Sequence, residues 1–265
     1  MSATDVRRLL AEHGLHPSRA LGQNFVVDPN TVRRIARLAG VGPGDRVVEI
    51  GAGLGSLTSA LAETGASVLA VEVDRHLIPV LRTVVPPSVT VVEADALTVD
   101  WDELLADGPR WHLVANLPYN VATPLVVGVL EGAPKIARML VMVQKEVGER
   151  LAAPPGDKVY GAVSVKIAYW ATAAVVGNVP PTVFVPRPAV DSVLVRIDRR
   201  DRPAVEGVDY DRLFSVVGAG FSQRRKMLRR SLAGVVSPQA FDAAGVAPTA
   251  RAEELDVTAW GRLAG

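Results

Sequence analysis

The chain has no cysteine, which removes disulfides and thiolate metal sites from consideration. Its four histidines, His13, His16, His76 and His112, follow no zinc-type spacing, so no metal is expected. Aromatic residues are scarce at 5 %, while hydrophobic residues reach 49 % and are mainly Val, Leu and Ala. That mixture suits parallel strands buried between helices. Charge of one sign is also missing: 29 Lys and Arg against 28 Asp and Glu leave a net +1, so any nucleic-acid partner must be read from the distribution of charge. The longest apolar run, Val121 to Leu130, is too short to cross a bilayer and contains Pro124 and Gly128. Met1 to Gly14 mixes Asp5, Arg7, Arg8 and Glu12 with Val6, Leu9 and Leu10, which reads as a short amphipathic helix and lacks a secretory apolar region. A cytoplasmic protein with no membrane partner is expected.

A length of 265 residues suggests one large domain and a smaller one. From Asp45 onward, β-branched apolar runs at Arg46–Ile50, Ser67–Val73, Val89–Glu93, His112–Ala115 and Arg138–Val143 alternate with helical patterns such as Leu57–Glu63 and Leu77–Val84. This is the rhythm of an open parallel α/β sheet, whose ligand edge is formed by the carboxyl ends of the strands. Lys145–Ala153 and Gly161–Trp170 read as helices, and Ala173–Val179 and Ser192–Ile197 as antiparallel strands closing the sheet. Beyond a polar linker, Tyr210 to Gly265 shows helices only. The division expected is an α/β domain over residues 1–200 and a small helical domain over 201–265.

Glu49-Ile50-Gly51-Ala52-Gly53-Leu54-Gly55 follows the first of these strands and opens a helix. Glycines there permit positive φ and close approach of a ligand to the backbone. The GxGxG spacing differs from the GxGxxG dinucleotide fingerprint. Glu72 ends the next strand, where an acid can accept both ribose hydroxyls. Asp95, followed by Ala96 at the end of the third strand, suits an adenine amino group. A nucleoside ligand follows from the three strand ends together, though the glycines and Glu72 alone do not separate S-adenosylmethionine from NAD.

Asn116-Leu117-Pro118-Tyr119 ends the fourth strand. The exocyclic nitrogen of adenine is a poor nucleophile because its lone pair is delocalised into the ring. The Asn116 side-chain carbonyl and a backbone carbonyl of Leu117 or Pro118 can each accept one N6 hydrogen and localise that pair. Pro118 fixes the turn, and Tyr119 offers a face for stacking. Methyl transfer then depends on proximity and orientation.

Leu21–Val26, Glu49–Thr58, Val71–Asp74, Asn116–Asn120, Gln144–Glu146, Tyr160-Gly161 and Phe184–Ser192, taken in this order, resemble the ribosomal RNA adenine dimethyltransferase family, over Leu21 to Leu232. The resemblance implies a Rossmann-like S-adenosylmethionine-dependent methyltransferase. The resemblance further implies action on N6 of two adjacent adenosines near the 3′ end of small-subunit (16S) ribosomal RNA, with a role in small-subunit biogenesis. It implies Gln23, Asn24 and Val26 as residues covering the cofactor, beside Gly51, Gly53, Glu72, Asp95, Ala96 and Asn116. Phe184 is implied to sandwich the target base opposite Tyr119. The expected partner is small-subunit RNA in an assembling 30S particle, met by a monomer. Val26 replaces the usual leucine and Ala52 a common proline, both conservative for packing.

Phe221 to Leu232 concentrates Arg224, Arg225, Lys226, Arg229 and Arg230 with no acid. Read as one helix, it places Arg225 beside Arg229 and Lys226 beside Arg230, a stripe suited to RNA phosphates; the plain alternative is a solvated face. Three other functions compete. A 23S ribosomal RNA dimethyltransferase of the antibiotic-resistance type has a similar plan. A DNA adenine methyltransferase usually carries two prolines where Leu117 and Pro118 stand. A non-enzymatic assembly or transcription factor on the same scaffold has no need of the cofactor residues.

Overall fold

The computed structural model describes residues 1–106, 108 and 110–265. A first helix, α1 (Ala3–Glu12), leads to a two-residue strand β1 (Phe25–Val26) and to α2 (Pro29–Ala39). Then follow β2 (Arg46–Ile50), α3 (Ser56–Ala62), β3 (Ser67–Glu72), α4 (Ile78–Val84), β4 (Thr90–Glu93), α5 (Trp101–Leu104), β5 (Trp111–Asn116), α6 (Ala122–Gly132) and β6 (Ile136–Gln144). The remainder comprises α7 (Lys145–Ala152), α8 (Ala162–Trp170), β7 (Ala171–Val179), β8 (Phe184–Val185), β9 (Ser192–Arg199), α9 (Tyr210–Ser222), α10 (Leu228–Ser231), α11 (Pro238–Ala244) and α12 (Val257–Ala264).

The Rossmann-like α/β sheet read from the sequence is present: seven strands in the order β4-β3-β2-β5-β6-β9-β7. Strands β4, β3, β2, β5 and β6 pair in parallel, and β9 runs antiparallel to β6. Strand order reverses at β2, with β3 on one side and β5 on the other, so a crevice opens at their carboxyl ends. Register levels those ends, Ile50 lying opposite both Val71 and Ala115. The Gly-rich turn, Glu72 and Asn116 therefore emerge side by side.

Two compact units divide the chain. The first takes Met1–Gly148 and Ala174–Asp198, the second Glu149–Ala173 and Arg199–Gly265. The sequence suggested a single cut after residue 200; the second unit instead draws on an earlier segment. The cause is apolar: Tyr160, Val165 and Tyr169 pack with Leu213, Val216, Leu228 and Trp260 in one cluster, and the Tyr160 hydroxyl donates to the Leu255 carbonyl at 2.9 Å.

The continuous basic helix expected over Phe221–Leu232 is absent. Helix α9 stops at Ser222, a turn follows, Met227 is extended (φ −63°, ψ 146°), and α10 begins at Leu228. The Leu228 and Arg229 amides donate to the carbonyls of Ala250 and Pro248, at 2.8 and 3.0 Å. A continuous helix would have claimed those amides for itself, so tertiary partners override the local helix propensity. Arg225 and Lys226 thus do not share helical faces with Arg229 and Arg230.

Candidate active site

The glycine turn after β2 takes φ of 71° at Gly51, 58° at Gly53 and 83° at Gly55, a region that L side chains enter only with strain. The Gly51 amide donates to the Val71 carbonyl at 2.9 Å, tying the turn to β3. Glu72 is buried, yet both of its oxygens have donors: the Gly53 amide on Oε2 at 2.7 Å and the Asp74 amide on Oε1 at 2.9 Å. Burial still holds its pKa above the ordinary carboxylate range, against the pull of those amides. Beneath the turn, Glu49 is 2 % exposed, and its Oε2 has no hydrogen-bond partner among the described residues. Burial, reinforced by the nearby Glu72 charge, pushes its pKa up to about 8, so Glu49 is mainly a neutral acid at pH 7.

A strand away, the Asn116 side chain is already oriented. Its Nδ2 donates to the Asn24 carbonyl at 2.9 Å, which leaves Oδ1 as the free acceptor. Leu117 is buried and its amide donates to Met142 O, continuing the sheet for one more bond. The Pro118 carbonyl accepts from the Val121 amide, so of the two candidate backbone acceptors the Leu117 carbonyl is the one the turn does not use. Tyr119 is held through its hydroxyl, 2.9 Å from Ser192 Oγ, and burial raises its pKa further above 10.

Gln23, Asn24, Val26, Gly51, Gly53, Glu72, Asp95, Ala96, Asn116, Leu117, Pro118 and Tyr119 all line a single pocket. Asp95 is exposed, and one of its oxygens accepts the Leu97 amide. Phe184 does not join them. It is 3 % exposed, lies opposite Val26 in the β1–β8 pair, and packs with Val114, Leu140 and Leu194, so it is core and does not sandwich a base in this structure. Sequence reading assigned no role to Ser192 or Asp74, which anchor Tyr119 and Gln23. Both fall inside stretches that resemble the family, but spacing alone does not reveal such contacts.

An S-adenosyl nucleoside fits these residues. The turn is bare of side chains, Glu72 and Asp95 supply acceptors for hydroxyl and amino groups, and a buried carboxyl oxygen without a partner among the described residues, Glu49 Oε2, belongs to a residue that lines the same pocket. Among the described residues no cluster of His, Asp and Glu could hold a metal ion, and no helix is long and apolar enough to cross a membrane. A Cβ on Gly53 would stand 3.1 Å from the Phe25 ring. Gly53→Val is therefore expected to fold, at a cost of about 1–2 kcal/mol for its backbone conformation, while losing affinity for S-adenosylmethionine in calorimetric titration. Wild-type affinity in a folded variant would show that this turn does not hold the cofactor.

Of the basic residues in the second unit, Arg224 is engaged. It donates to the Lys158 carbonyl and lies 3.7 Å from Glu253. Arg225, Lys226, Arg229 and Arg230 are exposed.

The family model for ribosomal RNA adenine dimethylase matches residues 15–264. Ribosomal RNA small subunit methyltransferase A of Cutibacterium acnes is 48 % identical, covering 97 % of this chain and 91 % of its own. The protein of the same name from Bifidobacterium longum subsp. infantis is 45 % identical, covering all of this chain and 92 % of its own. Among solved structures, the 23S rRNA methyltransferase ErmE superposes with a TM-score of 0.71 at 29 % identity, covering 91 % of this chain and 98 % of its own. A dimethyladenosine transferase from Plasmodium falciparum gives 0.76 at 23 % identity, covering 89 % of this chain and 94 % of its own, which speaks to the fold alone.

Proposed function

Because the chain belongs to the ribosomal RNA adenine dimethylase family, we propose that it dimethylates N6 of two adjacent adenosines of small-subunit ribosomal RNA, near the 3′ end of 16S. The observation that carries the chemistry is the orientation of Asn116, whose Nδ2 is committed to Asn24 and whose Oδ1 is left to accept. S-adenosylmethionine, when bound, supplies an electrophilic methyl group on a positively charged sulfur. Asn116 Oδ1 and the Leu117 carbonyl accept the two N6 hydrogens and turn the nitrogen lone pair out of the ring plane. Tyr119, pinned by Ser192, supports the base by stacking. Glu72 accepts the ribose hydroxyls, Asp95 and Ala96 border the cofactor adenine, and Gln23, Asn24 and Val26 cover the cofactor. The target adenosines enter splayed from a loop.

Identity of 45–48 % to proteins named for the small subunit, against 29 % to ErmE, favours 16S over 23S RNA as substrate. The proposed setting is an assembling 30S particle in the cytoplasm, engaged by a monomer. Incubation of each isolated ribosomal RNA and subunit with labelled cofactor, followed by nucleoside mass analysis, should place dimethyladenosine in 16S RNA. Label in 23S RNA, or none in adenosine, would overturn the reading.

Arg225, Lys226, Arg229 and Arg230 are proposed to meet RNA phosphates. Removing the charges of Arg225 and Lys226 is expected to weaken RNA binding and reduce its salt slope by roughly one-half to one unit for each lost phosphate contact. Cofactor affinity should not change. An unaltered slope in filter binding would make these residues a solvated surface.

A further inference from the structure

Besides the Asn120 side chain, whose Nδ2 donates to the Ala20 carbonyl at 3.4 Å, the loop before β1 is fastened at two points that lead to the reaction centre. At the first, Gln23 uses both ends of its amide: Oε1 accepts the Ser18 amide at 2.8 Å, and Nε2 donates to Asp74 Oδ2 at 2.8 Å. Asp74 itself bonds through its backbone amide to Glu72 Oε1. The second fastening is the Asn24 carbonyl, which accepts from Asn116 Nδ2. The Asn24 side chain donates to the Gly22 carbonyl at 3.0 Å, closing the loop on itself. A Cβ on Gly22, at φ 63°, would stand 3.0 Å from Asn120 Oδ1 and 3.2 Å from Pro118 Cβ, so the loop backbone rests directly on the Asn116–Asn120 turn.

An asparagine amide has nearly the same shape in its two flipped orientations, and only hydrogen bonding distinguishes them. Presented the wrong way, Asn116 would aim N–H donors at the N6 hydrogens of adenine. Its correct orientation depends on a carbonyl that belongs to a loop, outside any helix or strand. Building on the reading of Asn116 given above, we propose that the loop Ser18–Asn24 sets the catalytic amide, so that Asn116 is ready to accept from adenine only while the loop is closed over the pocket. Asn24 and Gln23 are positioning residues: Asn24 through its main-chain carbonyl, Gln23 by holding that carbonyl in place. Enclosure of the cofactor and readiness of the acceptor become one event.

The test is a double-mutant cycle in single-turnover methylation at saturating cofactor and RNA. Gln23→Ala should slow the wild-type reaction by about tenfold, the order expected of one orienting hydrogen bond, and should cause no further loss in Asn116→Ala. The pair Gln23→Glu with Asp74→Asn exchanges donor and acceptor while keeping the bond, and should restore most of the rate. Independent, multiplying effects, or a Gln23→Ala defect that disappears once cofactor saturates, would overturn the proposal. A second arm needs no activity: Asn116→Ala should speed hydrogen exchange of residues 18–24 in the free protein, and unchanged exchange would also overturn it. If the wild-type protein methylates no ribosomal adenine, the proposed function fails, while the exchange arm still decides whether Asn116 and the loop hold each other.

Discussion

Asn116→Ala is expected to lower the single-turnover methylation rate by roughly 100- to 1,000-fold, the loss typical of one aligned polar group in a reacting site, with little change in RNA affinity. The variant removes the Oδ1 acceptor and also the donor that holds the Asn24 carbonyl. Tyr119→Ala should lower both rate and RNA affinity, since a stacked base is worth about 1–3 kcal/mol. No proton acceptor is needed before transfer. Once methylated, N6 carries a positive charge the purine ring cannot share, and it gives up its proton to water. Tyr119 is unsuited to act as a base, because burial holds its phenol above the ordinary value of 10. At saturating cofactor the wild-type rate should therefore stay nearly level from mildly acidic to mildly basic pH. A steep rise centred near neutrality, and kept in Asn116→Ala, would mean that a titrating base elsewhere drives the reaction.

The ligand-free protein is expected to lose stability as pH rises from about 4.5 to about 8, because Glu49 has a folded pKa of about 8 against an ordinary 4.5. The sign follows from the proton count. Between those values the folded state keeps the Glu49 proton and the unfolded state releases it, so folding is favoured fully below the lower value and progressively less up to the higher one. For a single such group the slope is about 1.4 kcal/mol per pH unit. Glu72, also raised by burial, acts in the same direction. Urea unfolding across this window should show the decline, and Glu49→Gln should flatten much of it. A wild-type stability that stays level would mean that Glu49 is not held as a neutral acid.

The parts of the fold that sequence made visible are those with a repeated physical cause. Strands β2, β3, β5 and β6 are largely buried and read as mainly apolar runs, broken in β2 by Glu49, in β5 by His112 and in β6 by Arg138, and the turn glycines stand where positive φ requires them. Pocket residues at strand ends followed from that pattern, and Asn116, Glu72 and Asp95 do line one pocket. Features set by a distant partner were not visible. Strands β1 and β8 are two residues each and exist only because they pair with one another. Phe184 is flanked by motif residues, yet its β8 position turns it into the core. Phe221–Leu232 has the composition of a helix, and only the carbonyls of Pro248 and Ala250 explain why it breaks.

The interleaving of the two units in the chain sets a timetable for synthesis. Tyr160 and helix α8 emerge before α9, α10, α11 and α12, yet Tyr160 and the helix's Val165 and Tyr169 share their cluster with Trp260 and Leu263. Tyr160 also donates its hydroxyl to the Leu255 carbonyl. While roughly a hundred further residues are translated, those side chains have none of their native neighbours from the last helix, and an apolar surface of this kind invites association with other chains. A nascent chain halted after β9 would carry the strands of the Rossmann-like sheet and an aromatic helix without its cluster partners.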